Sequence, residues 1–234
     1  MNYWIMLLVF IAFILLMATV LGCNFCSWIC SGKVISEFRN VGDFNKIDFN
    51  LVGSLEIVQG PNESVKIEAD GNIIPIIETV VEDGILKVRM IKWKCYRNMK
   101  NLKICVLVKN LCLVKNQGVG SIEIKKLQTP SLKLILSGVG SLNVQDLEAD
   151  SLDAQLTGVG SLNINSGIAK KQTILVSGCG SFNGKNLVGE TGVVTVSGCG
   201  SAKINIRDLS YSKSGVGSIK NFADKHHNAA KSCA

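Results

Sequence analysis

Histidine, a frequent residue in acid–base catalysis and metal binding, is scarce in this chain. Only two of its 234 residues are histidines, His226 and His227, which lie side by side near the C-terminal end. Adjacent histidines in a tail have no framework to orient them as bases. Together with Cys233 they also lack the spacing of a structural zinc site. We therefore predict no bound metal, no cofactor and no catalytic histidine.

Proline and helical patterns are also scarce, which narrows the fold class. The chain has three prolines against 23 glycines, 47% of its residues are hydrophobic, and no convincing amphipathic helix follows residue 32. This composition favours one elongated all-β domain preceded by an apolar terminus.

A repeated Gly-x-Gly-Ser element is the most informative feature that is present. Its six copies lie at 118–121, 138–141, 158–161, 178–181, 198–201 and 215–218, and the first five are spaced by twenty residues. A repeat of this length is one supersecondary unit that buries its apolar face only by stacking on its neighbours. The spacing therefore predicts a solenoid with rungs of about twenty residues.

Aligned on the glycines, the repeats show apolar columns that alternate with polar positions, and period 2 indicates strands. The columns are Val114, Leu134, Ala154, Ile174 and Val194; Leu136, Leu156, Val176 and Val196; Ile122, Leu142, Leu162, Phe182 and Ala202; and Ile124, Val144, Ile164 and Ile204. Asn116 and Gly184 are the departures. We predict that these columns form the core and that each repeat is two short strands separated by a bend at the glycines.

The segment from Tyr3 to Gly22 contains no charged residue and is long enough to span a bilayer. It runs into the sequence Val-Leu-Gly-Cys23, which resembles a bacterial lipobox, whose cysteine is lipidated after cleavage. No Lys or Arg precedes the segment, as a secretory signal would require. Residues 1–22 are thus a signal peptide or membrane anchor, with lipidation of Cys23 and an uncleaved helix as alternatives. Both predict an extracytoplasmic, membrane-anchored protein.

The chain has nine cysteines, many for a reducing compartment, and an odd number suits one being lipidated or free. Cys179 and Cys199 occupy the repeat column that holds Val119, Val139 and Val159. Because a thiol can replace valine as a small hydrophobe, we predict that both are buried. A disulfide between rungs is the alternative.

A basic stretch from Lys92 to Lys115 contains no acidic residue and carries much of the net charge of +7. Its cations alternate with aromatic residues, which suits acidic polysaccharide, lipid head groups or nucleic acid. The predicted binding site is Lys92, Trp93, Lys94, Tyr96, Arg97, Lys100 and Lys103. We expect an anionic envelope glycan or another surface as partner rather than nucleic acid. The alternative is a solvated edge whose lysines prevent strand pairing.

Hydroxyl side chains form two columns beside the glycines. Ser137, Thr157, Ser177 and Ser197 precede each pair, while Ser121, Ser141, Ser161, Ser181 and Ser201 follow it. Such columns suit a repeating glycan, although hydroxyls also satisfy backbone groups at turns. A neighbouring column, Asn143, Asn163 and Asn183, is typical of stacked side-chain amides.

Four segments precede the repeats: Phe44-Asn-Lys-Ile-Asp-Phe49, Gly53-Ser-Leu-Glu-Ile-Val-Gln-Gly60, Val65-Lys-Ile-Glu-Ala-Asp70 and Val81-Glu-Asp-Gly-Ile-Leu-Lys-Val88. In this order, and followed by Ser-Gly-Val-Gly-Ser repeats, they resemble the auto-transporter adhesin head GIN domain family over residues 36–222. The resemblance implies a right-handed parallel β-solenoid in an exported envelope protein, without known catalytic residues. The predicted organisation is an anchor or signal at 1–22, a linker at 23–35, the solenoid at 36–222 and a tail at 223–234.

Enzyme motifs fail on inspection. The Gly-x-Gly-Ser element lacks the lysine of a phosphate loop, the third glycine of a dinucleotide fingerprint and the serine position of a nucleophile elbow. Asp146, Glu148, Asp150 and Asp153 offer carboxylates for glycan cleavage, but we expect them to mark a solvated turn between rungs.

The sequence therefore predicts a non-catalytic, exported cell-envelope β-solenoid, an adhesin or binding module that presents a repetitive surface. A scaffold that polymerises end to end, like the bactofilins, is the main alternative. A polysaccharide-active β-helix enzyme is the second alternative. Self-association is left open.

Overall fold

The computed structural model describes residues 28–29, 31–91, 96–97 and 102–223. These residues form strands and one short 3₁₀ helix, η1 (Ile74–Ile76). The strands are β1 (Trp28–Ile29), β2 (Val34–Arg39), β3 (Lys46–Asn50), β4 (Val52–Gln59), β5 (Ser64–Asp70), β6 (Ile77–Glu82), β7 (Ile85–Met90), β8 (Tyr96–Arg97), β9 (Lys103–Val108), β10 (Leu113–Asn116), β11 (Val119–Leu136), β12 (Val139–Leu156), β13 (Val159–Ile164), β14 (Gly167–Val176), β15 (Cys179–Val196), β16 (Ser201–Lys213) and β17 (Ser218–Asn221).

The repeats stack as parallel rungs in register, so the predicted all-β solenoid is confirmed. Val119 lies opposite Val139, and Val139 lies opposite Val159, which is an offset of one twenty-residue repeat at each step. Each rung thus places equivalent residues directly above one another. A side chain in one repeat contacts its counterpart in the next, as the period of the sequence requires.

The strands are longer than the sequence predicts. We expected two short strands per repeat, yet β11, β12 and β15 each run for 18 residues and end only at the Ser/Thr-Gly bend. In β11 and β12 the backbone turns at the other corners while the parallel pairing of the two strands continues on both sides of each turn. The next rung differs, because residues 165–166 separate β13 from β14.

The order of strands in space differs from their order in the chain at the N-terminal end. The rung made by β3 and β4 lies between two later segments: β7 and β9 pair on one side, and β10 and β11 pair on the other. Beyond this point β6 pairs antiparallel with β7. On the other part of the rung, β5 pairs antiparallel with β9, and β2 pairs antiparallel with β5. The parallel stack therefore ends in antiparallel strands.

Arg39 connects these two antiparallel edges. Its guanidinium donates hydrogen bonds from β2 to the carbonyl oxygens of Ile74 and Ile77 and to the hydroxyl of Thr79. A single side chain of β2 thus adds hydrogen bonds to carbonyl groups of η1 and β6 and links the edge strand to them.

The C-terminal end is less completely covered. The register between β15 and β16 changes from an offset of 20 (Asn183 with Lys203) to 17 (Val188 with Asn205). The last strand, β17, pairs only with Ser201–Ile204 of β16. Among the described residues, the rest of β16 has no strand beyond it.

The predicted columns form the core. Their described members are buried, including polar Asn116, whose Oδ1 accepts a hydrogen bond from the amide of Gly118. The gap at Gly184 also has a physical reason: a Cβ there would lie 2.8 Å from the ring of Phe182. The larger Phe182 fills the volume that Gly184 leaves empty, so two departures in one rung compensate each other.

The glycine corner brings backbones too close for a side chain. A Cβ on Gly140 would lie 1.9 Å from the carbonyl oxygen of Gly120, and the φ of Gly140 is +142°. Both the space and the dihedral angle therefore require glycine. The same contact recurs one rung further at Gly160, so the corner repeats with the solenoid.

We predict that Gly140→Ala lowers the free energy of unfolding by on the order of 3 kcal/mol, because the added methyl group collides with backbone and the φ is unfavourable. Gly42→Ala is the matched control, since nothing lies within 4 Å of its Cβ position. Thermal and denaturant unfolding of the full-length variants measure the difference. Equal stability of the two variants would contradict the close approach at this corner.

Candidate functional site

The residue between the two glycines of each repeat faces solvent. Val119, Val139 and Val159 are 50–52% exposed and lie in register with one another and with Cys179. Val52, which follows Leu51 and not a glycine, lies in the same column and is 43% exposed. We call this column the valine corner; its members are Val52, Val119, Val139, Val159, Cys179, Cys199 and Val216. It forms an aliphatic ridge along the solenoid, and ridges of this kind are unusual on the surfaces of monomeric proteins.

The prediction that Cys179 and Cys199 are buried is wrong. Both are exposed, and both are free thiols in the structure. The aliphatic character of their column suggested an inward direction. The strand alternation, however, keeps the same phase through the corner, so this column faces outward while Ile122 and its equivalents point into the core.

The hydroxyl columns border the valine corner. Ser137, Thr157, Ser177 and Ser197 are exposed on one side, and the serines after the glycines are half-buried on the other. The hydroxyl of Ser137 donates to the carbonyl of Asn116 at 3.3 Å, so this member also serves the backbone. No charged residue occurs in the sequences 137–141, 157–161, 177–181 and 197–201, which makes the corner an uncharged strip.

The asparagine column stacks as expected. The side-chain amide of Asn163 donates to the side-chain oxygen of Asn143 at 2.7 Å, across one rung. The hydroxyl of Ser161 accepts a second hydrogen bond from the same amide at 3.3 Å. This column therefore stabilises the stack, and it continues the uncharged surface beyond the serines.

Most of the predicted basic site lies outside the described residues. This applies to Lys92, Trp93, Lys94 and Lys100. Tyr96 and Arg97 form β8, whose backbone pairs in parallel with Trp28 and Ile29 of β1. The basic stretch thus meets the part of the chain that follows the apolar N-terminal segment.

Two of the three described lysines of the basic stretch, Lys103 and Lys109, have acidic partners. The ammonium group of Lys103, the first residue of β9, lies 2.8 Å from the carboxylate of Glu56. The ammonium group of Lys109, which follows β9, lies 2.7 Å from the carboxylate of Glu63. The hydrogen bond between Lys103 and Glu56 raises the pKa of the lysine and lowers the pKa of the glutamate. The stretch contains no acid in sequence, but the fold brings acids to it from β4 and from the loop after β4. These two lysines are therefore weak candidates for binding an anionic ligand.

We expected Asp146, Glu148, Asp150 and Asp153 to mark a solvated turn between rungs. This prediction is wrong, because all four residues belong to strand β12. Three of its carboxylates pair with lysines of neighbouring rungs: Asp146 with Lys126, Asp150 with Lys170 and Asp153 with Lys133, at 3.8, 2.6 and 2.8 Å. Each of these three aspartates thus has its own lysine, and the three pairs do not converge on a shared substrate position. Among the described residues, no group of three or more histidine, cysteine or acidic side chains is placed to hold a metal ion.

A wide groove of about 1000 Å³ opens beside β16 at the C-terminal end. Its lining includes Gln172, Asp208, Tyr211, Lys213 and Asn221. The groove exists because β17 covers only the first residues of β16. The side-chain oxygen of buried Gln172 has no hydrogen-bond partner among the described residues.

Comparison with known proteins decides the family. A family model described as "Putative auto-transporter adhesin, head GIN domain" matches residues 43–224. The chain belongs to this family. Comparison with curated proteins gives no match.

Solved structures resemble this head GIN domain closely. A putative adhesin from Bacteroides fragilis NCTC 9343 is 29% identical with a TM-score of 0.77, and the match covers 84% of this chain and 100% of that chain. A putative adhesin from Parabacteroides distasonis ATCC 8503 is 21% identical with a TM-score of 0.60, covering 82% and 98%. A putative lipid binding protein from the same organism is 20% identical with a TM-score of 0.54, covering 83% and 99%. The last two likenesses show the fold alone.

The family description and the Bacteroides relative support a binding module, rather than an enzyme, at the cell surface or outside the cell. The predicted anchor at 1–22 and the lipidation residue Cys23 lie outside the described residues. Within the part of this head GIN domain chain that the structure describes, no helix has the length and apolar character needed to cross a membrane.

Proposed function

We propose that the protein is an exported, membrane-anchored, non-catalytic adhesion module whose valine corner contacts an extended, uncharged glycan. The observation that carries this proposal is the uncharged ridge of half-exposed aliphatic side chains, bordered by hydroxyls and repeated on consecutive rungs. The family's description as an adhesin supports it.

The chemistry of the corner suits a polymer of neutral sugars. The apolar faces of sugar rings pack on aliphatic side chains, while serine and threonine hydroxyls both donate and accept hydrogen bonds. Rungs repeat about every 4.8 Å, so an extended polymer meets the same pair of groups many times. Weak contacts held on one rigid scaffold add up to useful avidity.

Replacing Val119, Val139 and Val159 together by serine should lower retention on the glycan at least about tenfold. The reason is that covering three half-exposed valines contributes more than about 1.4 kcal/mol. The measurement is retention of the full-length chain, purified in detergent, on beads of cellulose, chitin and mannan. Ile168→Ser with Val188→Ser is the control, because these residues are 54% and 50% exposed outside the valine corner. The proposal fails if native protein binds none of the three, or if the triple variant binds like native protein.

We also propose that the first part of the basic stretch, residues 92–100, binds anionic groups close to the membrane. The pairing of β1 with β8 supports this, because Trp28 is five residues from Cys23 and five residues reach at most about 18 Å. Arg97 therefore stays near the end of the apolar segment. Anionic lipid head groups and acidic glycans are both present at such a surface.

Replacing Lys92, Lys94, Arg97 and Lys100 by serine should weaken retention on heparin beads and flatten its dependence on salt. The matched control replaces Lys103, Lys109, Lys133 and Lys170, which also removes four positive charges. Each of these four lysines is ion-paired with a carboxylate. Net charge alone would make the two variants equal, so equal losses would count against a local site.

Export is tested by protease accessibility of a C-terminal tag on intact cells, with Cys23→Ala beside the native chain. We expect the tag to be removed from the outside, and the Cys23 change to block both processing and lipid labelling. Removal of the tag without any effect of Cys23→Ala would support the uncleaved anchor instead. Protection until the membranes are broken would refute export.

A further inference from the structure

We propose that Cys179 and Cys199 form a redox-active dithiol, which a disulfide oxidant converts into a disulfide joining two consecutive rungs. Both thiols are exposed and free, and both line one shallow hollow on the valine corner. The site is independent of the glycan contact proposed above, since it requires only the register of the stack.

The register that follows the corner places the two cysteines at equivalent positions of adjacent rungs. Ser181 pairs with Ser201 two residues later, and Cys179 itself lies in register with Val159 on the preceding rung. Neighbouring parallel strands lie about 4.8 Å apart. Disulfide-bonded residues have Cα atoms about 4.4–6.8 Å apart, so adjacent rungs satisfy the requirement.

The surroundings leave this pair accessible. The hollow is otherwise lined by small side chains and glycines, including Gly180, Gly200 and Ser218, so no bulky group stands over the sulfur atoms. Cys105, by contrast, is half-buried, and burial raises the pKa of its thiol. The thiol of Cys112 donates to the carbonyl of Asn45 at 3.3 Å. Neither has an equivalent on the adjacent rung.

The chemistry is thiol–disulfide exchange in two steps. The thiolate of Cys179 attacks an oxidant disulfide and forms a mixed disulfide, which releases one oxidant thiolate. The thiolate of Cys199 then attacks the Cys179 sulfur and releases the second. The two cysteines lose two protons to solvent and two electrons to the oxidant, which leaves as two thiols.

The bond would restrain the end of the solenoid that is least covered. It closes a loop of about twenty residues next to β16, most of which has no strand beyond it among the described residues. Oxidation would therefore hinder fraying of the last rungs, and reduction would release it.

The test oxidises the reduced full-length chain, in detergent, with glutathione disulfide, and blocks remaining thiols with an alkylating agent. Trypsin cuts after Lys171, Lys185 and Lys203, so the two cysteines fall in separate peptides, 172–185 and 186–203. We expect these peptides to appear linked, two hydrogens lighter than their sum, in the monomer band of a non-reducing gel. Linkage confined to a dimer band, or glutathione adducts alone, would overturn the proposal.

Two variants test whether register is the cause. In a Cys199→Ser background, Val159→Cys restores a pair on adjacent rungs with Cys179, whereas Val139→Cys places the second thiol two rungs away. We expect linkage in the first variant and none in the second. Equal linkage in both would show that local opening, not the stacked register, brings the thiols together. Oxidation should also raise the melting temperature of native protein reversibly, and leave that of Cys179→Ser unchanged.

Discussion

The close approach of backbones at the glycine corner is the constraint on which the rest of the solenoid depends. Each Gly-x-Gly element presses against the carbonyl oxygens of the preceding rung at distances that no Cβ allows. This contact holds the rungs in register, and register in turn places every apolar column over its counterpart. It also leaves the residue between the two glycines pointing outward. One backbone contact therefore determines both the core and the exposed ridge.

Much of the architecture could be predicted from the sequence, because a repeat of constant length leaves little freedom. Once the spacing of twenty is seen, the inward columns follow from period 2, and Ile122, Leu142 and Leu162 are buried as expected. The same alternation places Val139 and Cys179 outward, because the buried positions on both sides of the glycine corner, such as Leu136 and Leu142, are an odd number of residues away. The sequence prediction erred at Cys179 because it followed the apolar character of the column instead of this alternation.

Contacts between distant segments were less predictable still. The carboxylate beside Lys103 comes from Glu56, and the strand order that brings them together is not the order of the chain. No local pattern shows that β3 and β4 lie inside the stack rather than at its end. The basic stretch consequently seemed uniformly unpaired in sequence, although Lys103 and Lys109 have acidic partners. Sequence reasoning was reliable within the regular repeats and weak where the topology departs from them.

The two ends of the solenoid differ, which bears on assembly. Among the residues that the structure describes, antiparallel strands and the hydrogen bonds of Arg39 finish the N-terminal end of the stack, in place of the parallel edge that a head-to-tail continuation would need. Edges finished in this way are a common protection against uncontrolled pairing. This asymmetry favours a discrete module over the end-to-end scaffold.

The internal position of β3 and β4 also constrains when the protein can fold. Residues 46–59 can pair along both strand edges only after β7, β9, β10 and the first residues of β11 have been synthesised. Strand pairing in the first half of the chain therefore cannot be completed before about residue 124. From there onward each new rung adds to a finished one. The chain thus combines a slow, non-local nucleus with a fast, sequential extension. The risk of aggregation is therefore greatest early in synthesis, while the strands of this nucleus are still unpaired and exposed.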